Sequence, residues 1–167
     1  AYGLTKGGAG ELALGGSNTF TGGVMVNAGM LSLSNGSAIP DATVVTVNAP
    51  GSLKLVTNET VGGLMGSGSV NLQGNTLTVD AVGVSGFSGV ISGMGSLVKI
   101  GTGGIVLGGA NTFSGGVSLN VGTIKIANSS ALGTGALMMS GGVMMSDSTT
   151  DRLIPNAYVL SGGVTLG

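Results

Sequence analysis

Residues 4–39 read LTKGGAGELALGGSNTFTGGVMVNAGMLSLSNGSAI, and residues 97–132 read LVKIGTGGIVLGGANTFSGGVSLNVGTIKIANSSAL. Aligned without a gap at an offset of 93 residues, the two stretches share 18 identities in 36 positions. Self-similarity at a fixed period is the signature of a repeat architecture, in which similar units stack on one another. The repeated stretch therefore indicates a fold built from stacked units.

The repeated stretch and its surroundings contain short apolar runs separated by glycine, asparagine and serine. Each run has the length and composition of a β-strand and is too short for a helix. Corners of Gly-Gly, Asn-Gly and Ser-Gly between such short runs favour a coil of parallel strands over an antiparallel meander. In a coil, each strand pairs with its counterpart one turn later, about 4.8 Å away. The clearest runs span residues 12–14, 24–26, 30–33, 43–47 and 53–55.

We therefore predict an all-β fold, a single-stranded right-handed parallel β-helix (β-solenoid) that occupies residues 1–167. A turn of roughly 20 residues gives about eight turns and a rod on the order of 40 Å long. The right-handed sense follows the general rule for parallel crossovers. The 93-residue unit, with copies that start near residues 4 and 97, is then a superrepeat of several turns.

The chain carries too little positive charge to bind nucleic acid. Five basic and six acidic residues give a net charge of −1, so no basic patch exists to neutralise a phosphate backbone, and we expect no nucleic-acid binding.

Residues 12–40 carry no charge but are interrupted by asparagine and glycine, so we expect no membrane insertion by this segment. The chain opens without a secretory signal or an initiating Met, which is expected of a mature or excised segment.

The sequence predicts no catalytic, cofactor-binding or metal-binding residues. There is no histidine, which removes the commonest general base and metal ligand, and there is no cysteine. Paired carboxylates can hydrolyse glycosides, but the six acids are isolated from one another in sequence and are interpreted as solvated loop charges. Residues 147–152 are interpreted as an exposed loop. The acids are Glu11, Asp41, Glu59, Asp80, Asp147 and Asp151.

Other candidate motifs also have a structural interpretation. In residues 15–20 and 108–113, Asn18 and Asn111 are expected to cap a corner, while Phe20 and Phe113 fill the interior. Phe87 is expected inside as well. Adjacent strand residues point to opposite faces, so the methionines can supply adaptable core filler but no convergent metal site. These methionines are Met138, Met139, Met144 and Met145.

Two further expectations concern strand faces and corners. The single Thr76-Leu77-Thr78 motif is interpreted as a strand with two outward threonines. Gly22 and Gly115 are interpreted as corner glycines with positive φ, a conformation that β-branched residues resist. Valine at either position is expected to destabilise the coil.

The two copies of the repeat also resemble a known family. Residues 4–33 and 87–126 both contain a Leu-x-Lys segment, at 4–6 and 97–99, which is followed by a Gly-rich turn and a first short strand. The motif Gly-x-Asn-Thr-aromatic-x-Gly-Gly follows, then a strand, Asn-x-Gly and a third strand. This order resembles the passenger-associated transport repeat of bacterial autotransporters. The resemblance implies a β-helical passenger secreted to the bacterial outer surface, in which the repeat assists folding and secretion.

Three functions from different classes follow. The first is a non-catalytic, extracellular structural or adhesive solenoid that serves as a stalk or display segment and meets cell-surface or matrix components. The second is a self-assembling subunit of an extracellular fibre or sheet, which associates through solenoid ends because uncapped edges recruit other chains. The third, a polysaccharide-active enzyme, rests on fold analogy alone.

Overall fold

The computed structural model describes residues 1–148 and 150–167. Within this part of the chain, the regular structure consists of short strands joined into three sheets, and every strand pair is parallel. The chain visits the sheets in turn as it coils, so each strand pairs with strands that precede and follow it by one turn. This arrangement is the predicted β-solenoid. No helix of the described residues is long and apolar enough to cross a membrane.

The three sheets differ in length. Sheet A has nine strands, in the order β1 Leu4–Lys6, β3 Val24–Val26, β5 Val44–Val47, β8 Gly63–Gly66, β11 Val84–Phe87, β14 Gly104–Leu107, β16 Thr123–Ile126, β18 Val143–Ser146 and β20 Thr165–Leu166. Sheet B has five strands, β2 Glu11–Leu14, β4 Met30–Leu33, β6 Ser52–Leu55, β9 Ser69–Asn71 and β12 Val90–Ser92. Sheet C has six strands, β7 Glu59–Val61, β10 Thr76–Asp80, β13 Ser96–Ile100, β15 Val117–Leu119, β17 Leu137–Met139 and β19 Tyr158–Leu160.

The length of a turn can be read from the register of sheet A. Val44 pairs with Gly63 near the start of the coil, and Val143 pairs with Thr165 near its end, so one turn takes about 20 residues, as predicted. Nine strands in this sheet enclose eight turns, which confirms the predicted number of turns. The five apolar runs picked out in the sequence also fall on strands, namely β2 to β6.

The core is a set of columns in which aliphatic side chains of successive turns lie on top of one another. In sheet A, the register places Val24 under Val45 and Val45 under Leu64, and all three side chains are buried. Burial of one such side chain stabilises the fold by about 1.5–3 kcal/mol. Repetition of this small layer replaces the aromatic-rich core of a globular domain, because the chain has only five aromatic residues.

Sheet A runs the whole length of the coil, whereas sheet B covers only its first turns and sheet C only its later turns. In the first turns the path corresponding to sheet C is irregular around residues 16–20 and 36–40, and in the later turns the path corresponding to sheet B is irregular around residues 110–116 and 128–136. The first irregular segment of each pair contains an Asn-Thr-Phe motif. Each copy of the repeat therefore supplies two sides of the coil as strands and the third as a loop.

Candidate functional site

The acids do not converge on one site. Five of the six are exposed as predicted, although Glu11 lies in strand β2 and Asp80 ends strand β10. In the described residues, no group of three or more acidic side chains is placed to hold a metal ion. Asp147 accepts a hydrogen bond from Arg152 at 3.1 Å in the predicted exposed loop. Thr149, which belongs to that loop, lies outside the described residues.

Glu59 contradicts the interpretation of all six acids as solvated charges. Its side chain points into the coil and is only 2% exposed. One carboxyl oxygen, Oε1, accepts a hydrogen bond from the backbone N–H of Ile39 at 2.9 Å, while the other, Oε2, is buried without a partner. Burial raises the pKa of Glu59 to about 7, and the charge of nearby Asp41 acts in the same direction. The physical reason for its placement is strand alternation, since Glu59 shares a face of β7 with buried Val61.

Asparagine side chains bridge neighbouring turns where a loop replaces a strand. Asn111 accepts from the N–H of Ile91 at 2.8 Å through Oδ1 and donates to the carbonyl of Ala131 at 2.6 Å through Nδ2. Asn18 donates in the same way to the carbonyl of Ala38 at 2.9 Å. Buried backbone groups that lose their strand partners must find others, and these amides supply them. The predicted capping role of both asparagines is confirmed.

The phenylalanines lie inside, but to different extents. Phe113 is fully buried and Phe87 is 1% exposed, as predicted. Phe20 is only partly buried, although it packs against the same core. The difference follows from position, because Phe20 belongs to the first turn, whereas Phe113 lies between turns on both sides. The aromatic residue of the repeat is therefore an interior packing residue.

The lysine that opens each repeat is buried, which the sequence reasoning missed. Lys6 is 6% exposed, and its ammonium group lies at the corner that directly follows β1. It neutralises no acid there and instead satisfies backbone carbonyls of two successive turns, which would otherwise need other donors. The carbonyls that accept are those of Gly7 at 2.8 Å, Gly8 at 2.7 Å and Ala28 at 3.1 Å.

Lys99 repeats this arrangement in the second copy. It is fully buried and donates to the carbonyls of Ile100 and Gly101, the latter at 2.8 Å. Burial lowers the pKa of Lys99, and the charge of Asp80 partly opposes this. A Cβ at Gly122 would lie 2.9 Å from Nζ of Lys99, and the φ of Gly122 is +80°. The lysine and this glycine therefore form one packed corner.

The positive φ expected of Gly22 and Gly115 was wrong, although Gly116, which follows Gly115 in the second corner, has a φ of +88°. Gly22 and Gly115 are not among the glycines with positive φ. They are needed because successive turns touch there. A Cβ at Gly22 would lie 2.5 Å from the backbone nitrogen of Gly3, and one at Gly115 would lie 2.5 Å from the carbonyl oxygen of Gly95. The expected loss of stability is unchanged, but it arises from close backbone approach.

Strand alternation accounts for the methionines and threonines as predicted. Met139 and Met144 are buried in the core, whereas Met138 is 55% exposed. Met145 follows Met144 on β18 and lies on the other face, partly buried. In β10, both threonines of the Thr-Leu-Thr motif flank a buried leucine and point outward. The neighbouring methionines therefore do not converge on a site.

The two copies of the repeat lie on different sides of the coil. Leu4–Lys6 forms β1 of sheet A, but the equivalent residues Leu97 to Lys99 belong to β13 of sheet C. In the same way, Glu11–Leu14 lies in sheet B and its equivalent Gly104–Leu107 lies in sheet A. The spacing between the copies is not a whole number of turns, and the remainder shifts the second copy by one sheet.

Comparison with known proteins agrees with these repeats. A family model described as Passenger-associated-transport-repeat matches residues 4–33 and 97–126. The chain is also 39% identical over 92 residues to a protein named Adhesin BmaC autotransporter from Brucella suis biovar 1 (strain 1330). That match covers 54% of this chain and 3% of the relative's length. No solved structure matches the chain. Two segments of the chain therefore match the passenger-associated transport repeat, and the resemblance to autotransporter passengers is confirmed.

Proposed function

We propose that this chain, two segments of which match the passenger-associated transport repeat, is part of the rod of an autotransporter-type surface protein. In this role it is a non-catalytic stalk that holds adhesive parts away from the bacterial outer surface. The observation that carries the proposal is the pair of repeats built into one continuous coil. The relative that aligns with 92 residues of the chain is named an adhesin, which supports surface display and contact with cell-surface or matrix components.

The polysaccharide-cleaving alternative has little chemical support. A raised pKa is typical of a general acid, and Glu59 has one beside the exposed acid Asp41. The carboxyl group of Glu59 nevertheless lies inside the coil, 2% exposed, where a sugar chain has no access to it. We therefore interpret its raised pKa as a consequence of burial.

A stalk must be rigid along its axis, and hydrogen bonds inside the coil provide this rigidity. Eight turns at about 4.8 Å each give a rod about 38 Å long. Lys6 and Asn111 satisfy backbone carbonyls of neighbouring turns and so tie successive turns together. These features serve shape, which agrees with a structural role.

Surface location can be tested on the bacterium that produces the protein. Antibodies raised against the chain should label intact, unpermeabilised cells, and brief treatment of those cells with an external protease should remove the label. A periplasmic protein followed in the same samples is the control for cell integrity. Labelling that requires permeabilisation would overturn the proposed location.

The stalk role needs a second experiment. Cells in which this segment is deleted in frame from the full-length protein should still display the remaining passenger, but adhesion should fall because the adhesive part lies about 38 Å closer to the surface. Replacing the segment with an unrelated rod of equal length should restore adhesion. If only the native segment restores it, the segment itself carries the adhesive site and the stalk role is wrong.

A further inference from the structure

The outer face of sheet A differs in chemistry from the faces of the other two sheets. It runs along the whole coil and is built from threonine, methionine, valine and glycine, with Lys125 as its charged residue within the described strands. Sheet B carries Glu11 and Lys54 among serines, and sheet C presents hydroxyl groups such as those of Thr60 and Thr78. Sheet A is therefore the continuous apolar face of the rod.

On this face, projecting side chains alternate with glycines that leave gaps between them. Along one outer row, Val44 pairs with Gly63, and Val84 pairs with Gly104, which pairs with Thr123. The pairing of Gly66 with Phe87 places Gly63 beside Val84, so large residues alternate with glycine from Val44 to Thr123. Val84 stands between two glycines and is 74% exposed. Beside it, a groove of about 260 Å³ lies over Gly104.

We propose that two copies of this chain pair face to face through sheet A, with their rods antiparallel. The two-fold axis lies between β8 and β11 and runs parallel to the strands. In this arrangement, Val84 of each copy lies over Gly63 of the other, and Val44 lies over Gly104. Since the interface is isologous, each contact occurs twice.

The second outer row is compatible with the same arrangement, although it brings the side chains of Thr46 on β5 and Val106 on β14 together. It contains Met65 on β8 and Gly86 on β11, so a side chain again meets a glycine across the axis. Met25 on β3 meets Lys125 on β16, whose aliphatic stem can pack against the thioether. The two copies of Lys125 lie about five turns apart, roughly 24 Å, which is beyond the Debye length at physiological ionic strength.

The available area predicts a weak dimer. An axis between β8 and β11 superposes eight of the nine strands of sheet A on those of the partner. Eight strands spaced about 4.8 Å apart, each about 13 Å long, give an area of about 500 Å² on each copy. Two such faces bury about 1,000 Å², the lower limit for a specific protein interface. We therefore expect a reversible dimer with a dissociation constant in the micromolar to millimolar range.

Sedimentation equilibrium of the intact chain from about 10 µM to about 1 mM tests the pairing. The weight-average mass should rise from that of the monomer, 15.9 kDa, toward twice that value and no further. Val84→Lys should keep the mass at that of the monomer, because the two introduced ammonium groups face each other across the axis. Thr78→Lys, which adds the same charge to sheet C, should associate as the unsubstituted chain does.

Charge swapping makes the test specific to this face. Val84→Glu alone should also be monomeric, and an equimolar mixture of the Val84→Lys and Val84→Glu chains should form a heterodimer. Thermal melts of each variant establish that it is folded. A chain that stays monomeric at the highest concentration, or a Val84→Lys variant that associates like the unsubstituted chain, would overturn the proposal. Masses that grow beyond the dimer and are unaffected by Val84→Lys would overturn it too, and would instead indicate end-to-end stacking.

Discussion

Replacement of Glu59 by glutamine should stabilise the coil at neutral and alkaline pH. The carboxyl group is buried, and its Oε2 has no partner, so ionisation inside the coil is unfavourable. Glutamine keeps the oxygen that accepts from the N–H of Ile39 and removes the ionisation. Asn111 shows that an amide is accommodated at such a bridge between turns.

The magnitude follows from the two pKa values. The ordinary pKa of Glu59 is 4.5 and its value in the fold is about 7, so the folded state binds the proton more tightly than the unfolded state. The associated stability is fully present below about pH 4.5 and is lost as the pH rises through about 7. The difference between the two values corresponds to about 3 kcal/mol, of which about 2 to 3 kcal/mol should be lost between about pH 5 and about pH 8.

Thermal unfolding followed by circular dichroism at about pH 5 and about pH 8 measures this effect. For a chain of this length, the Tm should fall by about 4–12 °C across that interval. Glu59→Gln should lose most of that dependence and should melt at a higher temperature than the unsubstituted chain at about pH 8. Glu11→Gln, which neutralises an exposed acid, is the matched control and should keep the dependence.

Parallel pH profiles of the Glu59→Gln variant and the unsubstituted chain would refute this reasoning. They would mean that the carboxyl group finds water or a proton donor in the interior and ionises without cost. A lower Tm for Glu59→Gln at every pH would refute it too, since the amide would then fit the site less well than the acid.

Two further pairs of substitutions test the packing between turns. Gly115→Ala should destabilise the fold by about 1–3 kcal/mol because its Cβ meets the backbone of the preceding turn, whereas Gly83→Ala, with no atom within 4 Å of its Cβ, should change stability by less than about 0.5 kcal/mol. Urea titrations of the two variants that coincide would contradict the close approach. Phe113→Ala should cost about 3–5 kcal/mol, and Phe20→Ala should cost less than half of that, because Phe113 is fully buried and Phe20 is not. Equal losses in the same titrations would show that the first turn is packed as tightly as the interior.

The strands and the length of a turn could be predicted from the sequence because both depend on local pattern. Runs such as 24–26 and 53–55 alternate between the core and the exterior, and their glycine-rich corners recur at a nearly constant spacing. These signals are independent of which side of the coil a strand occupies. The handedness of the coil stays a prediction from the general rule for parallel crossovers.

The burial of Glu59 and Lys99 was not predicted from the sequence, although strand alternation indicates it. Glu59 is two positions from Val61, and Lys99 is two positions from Leu97, so each shares a face with an aliphatic core residue. The usual rule that charged residues are exposed outweighed this pattern. In a chain with so few charges, a charged residue in phase with core residues is a candidate for an interior role.

The reason why glycine is required at positions 22 and 115 could not be obtained from the local sequence. Gly22 and Gly115 look like corner glycines with positive φ, but what requires glycine is the backbone of the preceding turn. Which residue of that turn approaches which corner depends on the length of the turn between them. Turn length is not constant, because sheet A pairs Val44 with Gly63 but Val143 with Thr165. The contact therefore becomes visible only in the folded coil.

The shift of the repeat by one sheet determines how far a uniform face can extend. The first copy places strands on sheets A and B and its Asn-Thr-Phe loop on the path of sheet C. The second copy places strands on sheets C and A and its loop on the path of sheet B. A third copy at the same spacing would place its loop on sheet A, and a fourth would restore the first arrangement. The continuous apolar face is therefore a property of two adjacent copies, and in a longer array each side of the rod would be interrupted once in every three copies. Pairing through such faces would stay local and would not extend along the whole rod.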